Sequence, residues 1–192
     1  YEDYMTFGRE QIKESGVGPG DLVIGLAECG LSASINGSVL EGDDRGCNTY
    51  YFYTNPKDIL CNTLERTRLV FERENIRHID LFVGNMAVSG STRMQSASVQ
   101  LLAVGAALEL AIWKFLKQNL TEEELQAVGT TALEPQDYPK EFEKVLEKLN
   151  LPAAVAGLAK AIDLETETYN KKGLVTYATH DYLIDIMTDT TE

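Results

Sequence analysis

The 192 residues carry 30 acidic against 17 basic side chains, a formal net charge of −13, with 44% hydrophobic and 24% charged residues. That is a globular composition, long enough for one domain with an ordinary core. With no Lys/Arg stripe, the chain is excluded from backbone-tracking nucleic-acid binding, and an anionic membrane surface would repel it.

Residues 5–15 read as a helix, and Gly16-Val17-Gly18-Pro19-Gly20 as a turn. Residues 22–27 form a continuous apolar run, the pattern of a strand covered on both faces. A short helix is expected from Ala33, weakened by Gly37 and Gly42. The aromatic run 49–53 predicts a second strand that stops at Asn55-Pro56, and residues 57–75 a helix with Leu60, Leu64, Thr67 and Phe71 on one stripe. Residues 79–83 give a third strand, with His78 just before it. Gly90-Ser91-Thr92 then opens a long helix to about Asn119, apolar on nearly all sides and so expected to be central and buried. As a lipid-facing span it would set Glu109 near mid-membrane at a cost of about 3 kcal/mol, so a core helix is the better reading.

The last third changes character. Thr121 to Glu124 has capping-box spacing, and Tyr138, Phe142, Val145, Leu146 and Leu149 form a helical stripe. Pro152 starts another helix, with Val155, Leu158, Ile162 and Tyr169 on its inner face. Residues 174–178 read as a fourth apolar strand, followed by His180-Asp181-Tyr182 and a further helical stretch. Alternating strands and helices predict an α/β fold, a three-layer α-β-α sandwich around a mostly parallel sheet. Three cysteines, an odd count without C-x-x-C spacing, point to a reducing compartment. The polar start Tyr1-Glu2-Asp3-Tyr4 is not a signal peptide, so cytoplasmic residence is the expectation.

Ligands of such sheets bind outside the carboxyl ends of the strands, which singles out residues 28–32, 54–56, 84–92 and 179–182. Given the bulk charge, an anion there must be held by local N–H groups and a few placed side chains. Residues 84–93 combine a strand end, a small-residue turn and a hydroxyl-rich helix start; Ser91 and Thr92 either cap that helix or take a phosphate. Ser32, after the first strand, has the same two readings. Cys29 reads as a small filler, since no nearby cation would lower its pKa.

The run Gly90-Ser91-Thr92-Arg93-Met94-Gln95-Ser96-Ala97-Ser98-Val99-Gln100 resembles the signature of the N-acetylmuramic acid 6-phosphate etherases and the glucokinase regulatory protein, members of the sugar isomerase (SIS) domain family. Gly30-Leu31-Ser32-Ala33 is similar to the phosphate loop of the regulatory protein, and Asn55-Pro56 matches the end of the next strand; the resemblance spans about Glu2 to Trp113. It implies a flavodoxin-like or Rossmann-like SIS domain that binds a hexosamine or hexose 6-phosphate through Cys29, Gly30, Ser32, Asn55, Ser89, Gly90, Ser91, Thr92 and Arg93, without cofactor or metal. It also implies Glu2 as one of the two carboxylates that ether elimination needs, one ionised and one protonated.

Departures from the pattern remove charge. Asn85-Met86 stand in place of Pro-Glu, Gln95 and Leu101 in place of two lysines, and Leu31 in place of the etherase Arg. The family's earlier strand, its Gly-Thr-Ser phosphate loop and the following segment that carries the other catalytic Glu have no counterpart. The layout implied is the later part of a first SIS domain over residues 1–120, a helical connector over 121–172, and the first strand and helix of a second SIS domain over 173–192. Three activities follow from the family: a carbon–oxygen lyase of amino-sugar metabolism, a non-catalytic sugar-phosphate sensor acting on a kinase partner, and a sugar-phosphate isomerase. The family also implies a homodimer or pairing with the second SIS domain.

Overall fold

A computed structural model describes residues 3–129 and 132–178, which divide into two compact units, Tyr1–Pro135 and Gln136–Glu192. In the first, the order is α1 (Met5–Ser15), β1 (Leu22–Ala27), α2 (Ala33–Asp44), β2 (Asn48–Tyr53), α3 (Lys57–Thr63), α4 (Glu65–Phe71), β3 (Arg77–Asp80), α5 (Gln95–Asn119) and α6 (Glu122–Val128). The three strands pair in parallel in the order β1-β2-β3, with Leu22 opposite Asn48 and Tyr50 opposite Arg77. The fold is therefore α/β with a small parallel sheet.

Alternation along the strands decides where the core lies. Val23, Gly25 and Ala27 of β1 and Thr49, Tyr51 and Tyr53 of β2 are buried, whereas Leu22 and Leu26 are 54% and 39% exposed. Period-two burial of this kind marks a sheet with one face packed. On that face Val39 and Leu40 of α2, Leu60 of α3 and Val70 of α4 close a core around Tyr51 and Tyr53, with Phe71 edge-on to both rings. The continuous apolar run of β1 predicted cover on both sides; among the described residues the second face keeps Leu22 and Leu26 exposed.

α2 is a full 12-residue helix rather than a short one, and its glycines are the reason it packs as it does. A Cβ at Gly37 would stand 2.0 Å from the Met5 carbonyl oxygen, and one at Gly8 would stand 1.7 Å from the Ser34 carbonyl oxygen. α1 and α2 thus meet backbone to backbone. Arg9 crosses the same junction, with Nη1 2.8 Å from both Glu41 and Asp44, and holds the Asp44 carboxyl below its ordinary range.

Several expectations are corrected. The helix over 57–75 is two helices, broken at Leu64, whose backbone is extended (φ −131°, ψ 114°). His78 lies within β3, not before it. The long helix starts at Gln95 with Met94 at its N-cap and no side-chain cap, so Ser91 and Thr92 precede it, and Thr92 meets its first turn only through its carbonyl, which accepts from the Ala97 N–H at 3.1 Å.

That helix is also not buried. Only Ser96, Gln100 and Val104 of α5 are enclosed, and its most apolar stretch, of mean hydropathy 1.6, is 6% buried. An all-round apolar helix predicts burial only where something covers it, and no described residue covers most of α5. By length and composition α5 is sufficient to cross a membrane.

α6 carries the predicted capping box, with Thr121 and Glu124 each bonding the other's backbone N–H. In the second unit α7 (Tyr138–Leu149) and α8 (Pro152–Asn170) form where helices were expected, but neither contains a buried residue, and Val155, Leu158, Ile162 and Tyr169, expected on an inner face, are exposed. Residues 174–178 form no strand, and Leu174 is 94% exposed. A lone apolar segment has no ladder to join. The predicted loop at His180-Asp181-Tyr182 lies outside the described residues, as does Glu2.

Candidate functional site

β1 and β2 end side by side, and the loop leaving β1 turns back at Gly30, which takes a left-handed conformation (φ 74°) that favours glycine. Its N–H donates to the Ala27 carbonyl at 3.0 Å, closing a tight turn.

Each carbonyl from Glu28 to Ser32 is engaged by a protein donor. Glu28 accepts from the Thr54 N–H at 3.1 Å and from the Thr54 hydroxyl. Cys29 accepts from Asn55 Nδ2 at 2.8 Å, and Leu31 from Arg66 Nε at 2.8 Å. Ser32 accepts from the Asn36 N–H at 3.0 Å. Gly30 accepts from Thr67 Oγ1 at 2.8 Å, with the Tyr51 hydroxyl at 3.1 Å.

The Gly30 contacts belong to a buried ring of side chains. Asn36 Nδ2 donates to Thr67 Oγ1 at 3.2 Å, and the Tyr51 hydroxyl lies 2.8 Å from Asn36 Oδ1. Thr67 passes its own proton to Gly30, so the Tyr51 proton goes to the nearer acceptor, Asn36. Burial first, then Cys29 and Tyr53, push the Tyr51 phenol well above its ordinary value, so it stays a donor; Arg66 pulls the other way. Tyr53 is pushed up to about 12 by burial and by neighbouring Asp80 and Cys61.

With its carbonyls taken by protein donors, the loop leads into α2, whose first N–H groups, those of Ala33, Ser34 and Ile35, have no intrahelical acceptor. Ser32 is the N-cap residue, yet its hydroxyl makes no capping bond to α2. The result is a strand-to-helix turn that offers donors.

α5 joins this end of the sheet through its first turn. Ser96 Oγ is 2.7 Å from Thr54 Oγ1 and 3.3 Å from the Met86 sulfur. Gln95 clasps the preceding loop with both ends of its amide, accepting from the Ala87 N–H at 3.0 Å and donating to the Asn85 carbonyl at 3.1 Å. Gln95 is thus a staple for residues 85–87. Ser89, Gly90 and Arg93 are exposed and Ser91 and Thr92 half-buried in the turn before α5, where the Ser91 N–H donates to the Val88 carbonyl at 3.1 Å.

Of the residues expected from sequence, Cys29, Gly30 and Asn55 therefore share one hydrogen-bonded cluster, Ser32 starts the adjoining helix, and residues 89–93 lie in the α5 approach. An open depression of about 620 Å³ flanks the cluster on the β3 side, lined by Pro56, Lys57, Asp58, Cys61, Asn62, Asp80 and Phe82; it includes Pro56 of the expected 54–56 loop but none of the residues expected to hold the ligand. Thr54 lies in one of the loops expected from sequence; Asn36, Tyr51, Arg66 and Thr67 were missed. Thr67 carried the one visible signal, a hydroxyl within an otherwise apolar stripe.

Compared with known proteins, the sequence matches no family model and no curated protein.

Proposed function

We propose that this chain is a phosphosugar-binding protein of the SIS type, holding the phosphate of a hexose or hexosamine 6-phosphate at the turn from β1 into α2. The observation that carries this reading is the arrangement of residues 28–32, where each carbonyl is engaged by the protein and the α2 first turn offers N–H groups. Carbonyls facing a phosphate would repel it, whereas N–H groups at a helix start attract it, helped by the helix dipole. Ser32 and, across the strand ends, Ser91 and Thr92 supply hydroxyls to the same anion. Asn55, fixed on Cys29, adjoins the sugar.

A three-layer sandwich belongs to the same proposal: the sheet face carrying exposed Leu22 and Leu26 is the one a further helical layer would cover. So does cytoplasmic residence, which suits the three free thiols Cys29, Cys47 and Cys61.

Among the family's activities, a specific contact favours the sensor over the lyase. Gln95, where the family has a lysine, has both amide atoms occupied by the 85–87 loop, which leaves it no role in proton transfer or charge stabilisation. Calorimetric titration with glucosamine 6-phosphate, glucosamine and N-acetylmuramic acid 6-phosphate, with lactate assayed in parallel, tests both points. The expected outcome is binding that needs the phosphate and no lactate release. Equal affinity for glucosamine and its phosphate would overturn the site, and lactate release would overturn the preference for the sensor.

A further inference from the structure

The loop that resembles a phosphate loop has lost its own cation, because Leu31 stands where the etherases have Arg. A neighbouring element brings one back. Arg66, in α4, is half-buried and donates from Nε to the Leu31 carbonyl at 2.8 Å, a link across 35 positions of sequence.

Its partners distinguish it from the other arginines nearby. Arg9 is taken by Glu41 and Asp44, Arg68 by Glu65 and Glu72, and Arg73 by Asp43 and Asp44. Arg66 forms no ion pair among the described residues, and its single hydrogen bond uses Nε. Among the described residues neither Nη group has a protein partner, at a loop whose carbonyls are all taken by protein donors. Arg45, bonded through Nε to the Val17 carbonyl, and Arg77, over the Tyr50 ring, likewise form no ion pair among the described residues, but neither bonds to residues 28–32. A guanidinium fork is suited to two oxygens of one phosphate, and it remains charged at any working pH.

We infer that Arg66 is a ligand-binding residue that supplies, from α4, the positive charge missing from the β1–α2 loop, and so selects phosphorylated over neutral sugars. This inference rests on the phosphosugar reading. It differs from a purely structural tether on Leu31, which would steady the loop without preferring an anion.

The test is titration of the full chain with inorganic phosphate and with glucosamine 6-phosphate at low and moderate salt, comparing the wild type with Arg66→Gln, Arg66→Lys and Arg68→Gln. Arg68→Gln makes the same charge change on the same helix at a residue already paired with carboxylates. Arg66→Gln should weaken both ligands about tenfold or more and flatten the salt dependence. Arg66→Lys should recover part of the loss, since it keeps the charge without the fork, and Arg68→Gln should change affinity less than about twofold. Equal losses in Arg66→Gln and Arg68→Gln, or unchanged affinity in Arg66→Gln, would overturn the role of Arg66 while leaving the site intact. A wild type indifferent to phosphate would instead remove the site, and this inference with it.

Discussion

His78 shows how one half-buried side chain carries a pH dependence. Its ring stacks at a tilt on Phe71, 4.8 Å between centroids, and Nε2 lies 3.1 Å from the Val70 carbonyl, so Nε2 bears the proton in the neutral ring. Burial lowers its pKa below the ordinary value, the Val70 bond raises it, and Lys57 lowers it further. The neutral form is the one the fold favours. The unfolded chain therefore binds a proton first as pH falls, and stability is lost from about pH 6.5 downward through the lower folded pKa. Denaturant midpoints measured from pH 7.5 to 5 should decline for the wild type, and the decline should be shallower in His78→Gln. Parallel slopes would show that another group is responsible. The carboxylate of Asp44, held low by Arg9, contributes at a more acidic range, below the usual aspartate value.

At the scale of elements, the α1–α2 pair rests on contact that only glycine permits. Gly37→Ala would press a methyl group into the Met5 backbone, and because that obstacle is main chain, α1 must shift. A loss of about 1–3 kcal/mol is expected, read as a fall in the denaturant midpoint. On propensity alone the same change would stabilise a helix by about 1 kcal/mol. The sign of the effect decides between the two arguments, and stabilisation would mean that α1 does not pack as described. The same contrast explains what was legible. The third strand lies at Arg77–Asp80 rather than 79–83 and the fourth does not form, whereas the positions of β1 and β2, the α1 bounds, the capping box at Thr121 and the helices α7 and α8 follow from local pattern. The length of α2 did not, because Gly37 and Gly42 lower helix propensity but allow the close packing that holds the helix in place.

For the whole molecule, stability is unevenly distributed. The core gathers between β1, β2 and the helices α2 to α4, while α7 and α8 hold no buried residue and α5 only three. Helices without burial exchange their amides by local opening. Hydrogen exchange on the full chain should therefore find the amides of α7 and α8 at least about a hundredfold less protected than those of β2. Comparable protection would mean that both units bury apolar surface not visible among the described residues. Exposed Leu22 and Leu26 on the sheet, and Leu101, Ile112 and Phe115 on α5, belong to the same unevenness.

The candidate site divides along the same line. Sequence by itself determined the parallel α/β plan, the loops at the strand ends, and Cys29, Gly30, Ser32 and Asn55 as residues to inspect, because strand periodicity and turn chemistry are local properties. Only the tertiary structure brought Asn36, Thr67, Tyr51 and Arg66 to that loop. Thr67, Tyr51 and Arg66 meet the Gly30 and Leu31 carbonyls across gaps of up to 37 positions, with Asn36 joined to Thr67 and Tyr51, and no local pattern records such a meeting. It also decided that α5 is exposed. Apolar composition states that a helix gains by being covered, but whether a covering surface exists depends on what the rest of the fold places beside it.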